Sequence, residues 1–277
     1  MKDIKVGFEL VSLVRCDKWP VKELPEILKD VADIGYEGVE FCRGLFGKTP
    51  KEINQVCKNL GLVPLSSHTE IEHLAEDIDK VLEESKGVGL KYIVLPTPGA
   101  DVEYHNVSET DLTMVINRIN KYAQIITDNG FICAQHSCCE TFEKDINGKL
   151  IIERIMEEID PSILQIQIDS AWVMQADVDV PEFIRKYDGR QDVFHIKDFI
   201  GPMPRDERMA DRGQSSFNKK LDAAIGEGMI DAPGIVKACK ETGVQWILIE
   251  QMERASYEVA LDFAKRSYNN LVKTMGK

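Results

Sequence analysis

Short apolar runs alternate with longer segments of helical periodicity along the whole chain. The runs are rich in Val, Ile and Leu, as expected for strands that are buried on both faces. Their alternation with helical segments indicates parallel strands joined by crossover helices. About eight runs are present, at residues 6–13, 38–41, 62–65, 92–95, 131–134, 164–168, 193–196 and 246–249.

The helical segments carry recognisable start and stop signals. Thr49 and Glu52 form a capping box with a proline between them, and Gly61 is placed to end that helix. Ser108 begins a second helix that ends at Gly130. Further helices are predicted to begin at Pro181, to run from Asp231 to Gly243, and to span residues 257–275.

The alternation fits two architectures, an open doubly wound sheet and a closed barrel. The open sheet normally has a glycine-rich phosphate-binding turn after its first strand, and residues 11–16 contain no such motif. The sequence therefore predicts an α/β protein with a single (β/α)8 TIM barrel over residues 1–277. Residues from about 199 to 221 form the longest segment without clear helical period, which is typical of a lid loop.

Composition narrows the classes of partner. The 277 residues include 47 acidic and 34 basic side chains, for a formal charge of −13. Such a charge repels phosphate backbones and anionic membranes, so we expect neither nucleic acid nor a membrane as partner. No apolar run reaches the roughly 18 residues of a membrane span, and the N-terminus lacks a signal-peptide pattern. Seven cysteines without a CxxC spacing favour reduced thiols and a cytoplasmic location.

Polar side chains stand at the ends of most predicted strands, which is where barrel enzymes carry their chemistry. Carboxylates and imidazoles that converge there make a site for a hard or borderline divalent cation, with Mn²⁺ the most natural occupant and Mg²⁺, Co²⁺ or Zn²⁺ as alternatives. One such acid alone is more often a helix cap, and one such histidine is more often structural. Together, four residues on strands five to eight favour a metal site: Glu140, Asp169, His195 and Glu250.

Several segments resemble the xylose-isomerase-like sugar phosphate isomerase/epimerase family. They are Gln167–Val173, Tyr187–Arg190, His195–Asp198, Gly226–Gly228 and Trp246–Gln251. The resemblance is loose over nearly the whole chain and most specific from about residue 131 to the end. It implies a TIM barrel and one divalent metal bound by Glu, Asp, His and Glu from strands five to eight. These are the same four residues that the strand ends select.

The segment after the fifth strand departs from the family. Many relatives have a Tyr-His-Asn-His segment there, whereas this chain has Gln135-His136-Ser137 followed by two cysteines and Glu140. Glu140 aligns with the expected ligand, but Gln135 or His136 could take its place. The departure also suggests a substrate or reaction unlike those of the better-known isomerases.

Other polar residues are candidates for catalysis or for sugar binding. His136, Glu140, Glu250 and Lys197 are the catalytic candidates; Lys197 either polarises a substrate oxygen or pairs with Asp169 or another carboxylate. His136 either moves a proton or packs between strands. The sugar-binding candidates, for each of which a structural role is the alternative, are His68, Glu40, Trp172 and Glu227.

The leading functional hypothesis is a metal-dependent isomerase or epimerase that acts on a keto-sugar or polyol through a metal-stabilised enediolate. The alternative is a lyase that uses the same enediolate for β-elimination, of the inosose dehydratase or C-glycoside deglycosidase type. The expected partner is a small sugar substrate. We also expect a homo-oligomer or, if the protein is a deglycosidase, a second, different subunit. A DNA-repair endonuclease is disfavoured by the charge of −13, and a non-catalytic sugar-binding protein is the remaining alternative.

Overall fold

The eight apolar runs form parallel strands in the computed structural model, which describes residues 3–14, 22–42, 44–99, 101–201, 222–251 and 256–277. A short antiparallel pair, β8 (Asp198–Phe199) and β9 (Asp222–Ala223), lies beside them. The eight parallel strands are β1 (Lys5–Glu9), β2 (Gly38–Cys42), β3 (Val63–His68), β4 (Tyr92–Leu95), β5 (Ile132–His136), β6 (Gln165–Gln167), β7 (Val193–Ile196) and β10 (Trp246–Ile249).

The parallel strands follow one another around a barrel. Their hydrogen-bonded order is β6-β5-β4-β3-β2-β1-β10-β7. The remaining gap, between β6 and β7, is spanned by a parallel bridge between Asp169 and His195, whose backbone N–H donates to Ile168 O at 2.8 Å. The prediction of a (β/α)8 barrel is therefore confirmed, and two candidate metal ligands lie in its closing contact.

Helices cover the outside of the barrel between the strands. The sequence signals mark their ends: Glu52 N–H donates to Thr49 Oγ1, and Gly61, at φ 71°, ends the third helix in the left-handed conformation. The helices in the described part of the chain are α1 (Val11–Val14), α2 (Leu24–Ile34), α3 (Pro50–Leu60), α4 (Ile71–Val88), α5 (Glu109–Asp128), α6 (Ile151–Glu158), α7 (Ser170–Gln175), α8 (Val180–Lys186), α9 (Ala232–Glu241) and α10 (Tyr257–Met275). None of them is both long and apolar enough to cross a bilayer.

The first apolar run differs from its prediction. We expected one strand over residues 6–13, but β1 ends at Glu9, and the chain turns at Leu10 into α1. The turn is held by the Glu9 side chain, whose Oε2 accepts a hydrogen bond from Val11 N–H at 2.9 Å. Apolar residues continue through α1 because it is buried, so hydrophobicity alone does not mark the end of the strand.

The barrel interior changes from apolar to polar along its axis. A small apolar cluster fills one part of it: Leu65, Tyr92, Val94, Ala134, Val193, Trp246 and Leu248. Side chains two residues apart on a strand share a face. Ala134, Val193 and Leu248 are therefore followed on the interior face by three polar residues at the carboxyl ends of their strands: His136, His195 and Glu250.

The start of the predicted lid segment is firmly held. Both carboxylate oxygens of Asp198 accept backbone N–H groups, Oδ2 from Gly226 and Gly228, and Oδ1 from Met229 and Ile230, at 2.9–3.2 Å. A Cβ atom on Gly228 would lie 2.2 Å from Asp198 Oδ1, which explains the glycine. Residues 202–221 lie outside the described part of the chain, so the lid stays a prediction.

Candidate functional site

Four buried side chains at the carboxyl ends of the strands come together around one point. His136 ends β5, Asp169 follows β6, His195 lies in β7 and Glu250 follows β10. One ligand atom from each of the four lies within 4.8 Å of the corresponding atoms of the others. We call these four residues the ligand cluster. The His68, His136 and His195 rings form a second group within the same distance.

Glu140 stands apart from the ligand cluster. It lies in the 3-10 helix Cys139–Phe142, after β5, and its side chain is partly exposed. Its Oε2 accepts a hydrogen bond from Cys139 Sγ at 3.0 Å. Gln135 faces away from the interior because it alternates with His136, and its amide donates to the carbonyl oxygens of Leu95 and His136. Among the three residues considered for the β5 ligand, the geometry brings His136 to the cluster.

Glu40 forms the floor of the site. This fully buried carboxylate accepts hydrogen bonds from Ser66 Oγ at 2.5 Å and Gln167 Nε2 at 2.9 Å. Its Oε1 also lies 2.9 Å from His68 Nε2 and 2.8 Å from His195 Nε2. Burial alone would raise the pKa of Glu40, but the two imidazoles lower it well below the usual range. Glu40 is therefore an anion that orients the neighbouring rings.

The imidazoles of the site differ in protonation. His195 lies between two carboxylates, with Nδ1 2.7 Å from Glu250 Oε2 and Nε2 next to Glu40. Burial opposes its charge, but the two carboxylates raise the pKa of His195 to about 10, and Glu40 raises that of His68 to about 9. Burial and the two other rings lower the pKa of His136. Without a metal, His195 and His68 are cations and His136 is neutral.

The tautomer of His136 follows from its neighbours. Gln167 donates through Nε2 to the Glu40 carboxylate, so its Oε1 faces the rings and lies 2.9 Å from His136 Nδ1. An amide oxygen only accepts hydrogen bonds, so the neutral His136 ring carries its proton on Nδ1. His136 Nε2 therefore keeps a lone pair that can bind a metal or accept a proton.

Lys197 neutralises the carboxylates of the ligand cluster. Its ammonium contacts Glu250 Oε1 and lies 3.4 Å from Asp169 Oδ2. Burial opposes the charges here too, but the pKa of Lys197 is raised and that of Glu250 is lowered well below its usual range by this pairing. At Asp169, burial favours the uncharged acid more strongly than the Lys197 ammonium favours the anion, so the pKa of Asp169 is raised to about 6. Of the two roles considered for Lys197, pairing with carboxylates is the one seen in the structure. The centre of the Trp172 ring lies 5.4 Å from Lys197 Nζ.

A cavity of about 870 Å³ opens onto the cluster. His68, His136 and Glu250 line its inner end, and it continues past Phe41 and Leu45 towards α4. The volume lies in the range of about 300–1,000 Å³ that is typical of small-molecule sites. Glu227 is instead paired with Arg266, and both side chains are more than a third exposed.

Sequence reasoning missed two residues of the site, Glu9 and Gln167. Glu9 is 1% exposed and lines the cavity, and Gln167 contacts Glu40, His68 and His136. Glu9 carried the same signal as Glu40, an acid at the end of an apolar run, but the predicted first strand continued past it. Gln167 begins one of the segments that resemble the family, but nothing in the sequence places its side chain in the site.

A parallel barrel with a buried polar cluster at the carboxyl ends of its strands defines an enzyme-like α/β barrel. The model of the xylose isomerase-like TIM barrel family matches residues 28–267. The chain belongs to this family.

Relatives and solved structures agree with this assignment. An inosose dehydratase from Geobacillus kaustophilus is 20% identical over 267 residues, which cover 87% of this chain and 83% of the relative. A sugar phosphate isomerase/epimerase structure from Parabacteroides distasonis has a TM-score of 0.75 at 19% identity and covers 99% of this chain and 96% of its own. A structure of IolI protein with a binding zinc atom has a TM-score of 0.77 at 14% identity and covers 99% and 98%. At these identities the structures show the shared fold.

Proposed function

We propose that this chain is a divalent-metal-dependent isomerase or epimerase of a keto-sugar or polyol. The observation that carries the proposal is the convergence of His136, Asp169, His195 and Glu250 next to a cavity of sugar-binding size, whose wall includes His136 and Glu250. Membership of the family and the isomerase/epimerase among the structural neighbours support the same class of reaction. We also propose a cytoplasmic location, because the described cysteines are free thiols.

The donors of the ligand cluster fit a divalent cation. Two imidazole nitrogens and two carboxylates suit Mn²⁺, our first choice, as well as Zn²⁺ or Co²⁺, and they suit Mg²⁺ less well. With metal–ligand distances of about 2.2 Å, two ligand atoms on opposite sides of one ion are roughly 4.4 Å apart. The ligand atoms of the cluster lie within 4.8 Å of one another, which is close to this separation. Asp169, His195 and Glu250 would hold the ion, with His136 in the place that the resemblance gives to Glu140.

Proton transfer next to a carbonyl is the chemistry that this site supports. A divalent cation bound here would act as a Lewis acid towards the carbonyl and neighbouring hydroxyl oxygens of the substrate. The Glu250 carboxylate lines the cavity and has a second oxygen besides the one that binds the ion, so it can accept a carbon-bound proton, whereas His136 uses its one lone pair, on Nε2, for the ion. His68, which lines the cavity, and Trp172, which lies against Lys197, are the proposed sugar-binding residues.

A lyase that expels a group β to the carbonyl is the second candidate. It uses the same proton abstraction, and the similarity to an inosose dehydratase over 87% of the chain favours it. A deglycosidase form of this activity would add a second subunit. A homo-oligomer stays a prediction, and the size of the particle in solution tests it.

Incubation of the Mn²⁺-loaded protein in D₂O with D-fructose, L-ribulose and inosose separates the two candidates. An isomerase or epimerase gives a stereoisomer or positional isomer that carries deuterium at the reacting carbon. A dehydratase gives a product that has lost water. Absence of both from every sugar, with one Mn²⁺ bound per chain, would contradict the proposed chemistry for these substrates.

A further inference from the structure

Gln167 is a fully buried amide that connects side chains from three other strands of the barrel. Its Nε2 donates a hydrogen bond to Glu40 Oε2 at 2.9 Å. Its Oε1 lies 3.0 Å from His68 Nε2 and 2.9 Å from His136 Nδ1. These three partners come from β2, β3 and β5, whereas Gln167 ends β6. Both ends of the amide are therefore used within the site.

The Glu40 carboxylate fixes the orientation of this amide. Its Oε2 accepts from Gln167 Nε2 and also from Ser66 Oγ, at 2.5 Å. A reversed amide would place its oxygen against this carboxylate oxygen, and two acceptors cannot share a hydrogen bond. Glu40 thus keeps the amide nitrogen of Gln167 on its own side and the amide oxygen on the side of the imidazoles.

His136 needs such an oxygen if it is to bind a metal ion. An imidazole offers one nitrogen to the ion and carries a proton on the other. Histidines that bind metals almost always donate this second N–H group to an acceptor, which fixes the orientation of the ring. Nδ1 of His136 faces Gln167 Oε1, so Nε2 is the atom available to the ion. A carboxylate ligand such as Glu140 would have no ring proton to place.

We propose that Gln167 is a positioning residue of the metal site, whose Oε1 accepts the Nδ1 proton of His136 and thereby presents Nε2 as the ligand atom. The inference rests on the proposed function for the presence of the ion, and on the hydrogen-bond distances for the contact itself. Gln167 acts through His136 and not on the substrate. The pair of an imidazole and a glutamine amide then takes the place that the family resemblance gives to the Glu140 carboxylate.

Gln167→Met and Gln167→Glu test the role of the amide oxygen. Gln167→Met keeps the length of the side chain but removes the acceptor, so Mn²⁺ binding should weaken about tenfold. Gln167→Glu keeps an oxygen for the Nδ1 proton, and its affinity for Mn²⁺ should stay within about threefold of wild type. Calorimetric titration measures both variants. Wild-type affinity in Gln167→Met, or an equal loss in the two variants, would overturn the proposal.

Gln165→Met is the matched control for these variants. Gln165 lies two residues earlier on the same face of β6, but its Oε1 accepts a hydrogen bond from Asp192 N–H at 3.0 Å. The same substitution there should leave Mn²⁺ binding unchanged. A loss as large as that of Gln167→Met would show that any defect in β6 weakens the site, which would overturn the specific role of Gln167.

A double-mutant cycle with His136→Ala separates positioning from a general structural role. If Gln167 acts through His136, then Gln167→Met should change the Mn²⁺ affinity of His136→Ala by less than about twofold, because the ring that it orients is gone. A structural role would instead weaken binding about tenfold in both backgrounds, and this result would overturn the proposal. Circular dichroism verifies that each variant is folded.

Nitrogen-15 NMR of the metal-free protein tests the contact without a metal ion. Wild type and Gln165→Met should show a slowly exchanging proton on His136 Nδ1, and Gln167→Met should lose it. This signal in a wild-type protein that binds no Mn²⁺ would contradict the proposed function and leave the contact between Gln167 and His136 standing. Absence of the signal from wild type, or its persistence in Gln167→Met, would overturn the Gln167 proposal.

Discussion

Charge balance at single residues explains how so many acids share one buried site. Three carboxylates, Glu40, Asp169 and Glu250, are paired with three cationic side chains, His68, His195 and Lys197. The nitrogen–oxygen distances of these pairs are 2.7–3.4 Å, except for the Lys197–Glu250 contact, which is shorter. Buried charges are tolerated only when they are paired in this way. A divalent cation would take over part of this role, and His195 would release a proton as it binds.

Lys197→Met tests the replacement of an ammonium by a metal ion. Without Lys197, Asp169 and Glu250 lose their cation, and the free energy of unfolding of the EDTA-treated protein should fall by about 3 kcal/mol. Thermal unfolding with and without Mn²⁺ should show a larger stabilisation by Mn²⁺ in the variant than in wild type. Lys186→Met, which breaks a surface pair with Glu153, is the control. Equal stabilisation by Mn²⁺ in Lys197→Met and wild type would contradict this role.

His136→Gln and Glu140→Gln identify the ligand from β5. We expect His136→Gln to weaken Mn²⁺ binding at least tenfold and Glu140→Gln to change it by less than about twofold. Metal analysis after dialysis against graded Mn²⁺ concentrations measures both variants. The reverse order would support Glu140, the ligand implied by the family resemblance.

Sequence could indicate most single residues of the site but not their contacts. Asp169 and Glu250 were identifiable because each directly follows an apolar run, and His195 because it interrupts one. The choice between Gln135, His136 and Glu140 depends on which face of β5 each occupies and on the turn that follows. Glu9 was hidden because the apolar pattern continues into α1, and Gln167 because its role depends on partners from β2, β3 and β5.

At the scale of elements, the strands and helix caps agree with the sequence-based prediction. The segment around Asp198 holds two parts of the chain together. The sequence pattern indicated all eight parallel strands because each is a short apolar run set between longer polar or helical segments. The resemblance gave His195–Asp198 and Gly226–Gly228 as separate segments. The structure joins them, since Asp198 binds the backbone N–H groups of the second segment. This contact fixes the chain on both sides of residues 202–221.

Asp198→Asn tests this junction. The amide replaces one accepting oxygen by a donor that faces backbone N–H groups, so the free energy of unfolding should fall by about 3 kcal/mol. Urea unfolding at neutral pH measures the change, with the exposed Asp188→Asn as control. A loss of less than about 0.5 kcal/mol would show that the junction contributes little to stability.

On the scale of the whole molecule, the barrel separates stability from chemistry. One part of its interior is filled by an apolar cluster that includes Tyr92 and Trp246, whereas the carboxyl ends of the strands carry the acids and imidazoles. The closing contact between β6 and β7 brings Asp169 and His195 together, so closure of the barrel and assembly of the ligand cluster are the same event.

Calorimetric titration with Mn²⁺ tests the central claim most directly. Wild type should bind one ion per chain at the ligand cluster, and both Asp169→Asn and His195→Ala should weaken binding at least tenfold. Asn at position 169 can still cap α7 through Ala171 N–H, so the fold should survive, as circular dichroism can verify. The surface variants Asp160→Asn and His105→Ala should bind Mn²⁺ like wild type. Unchanged stoichiometry and affinity in both cluster variants would contradict the assignment of the metal site and the enzymology that depends on it.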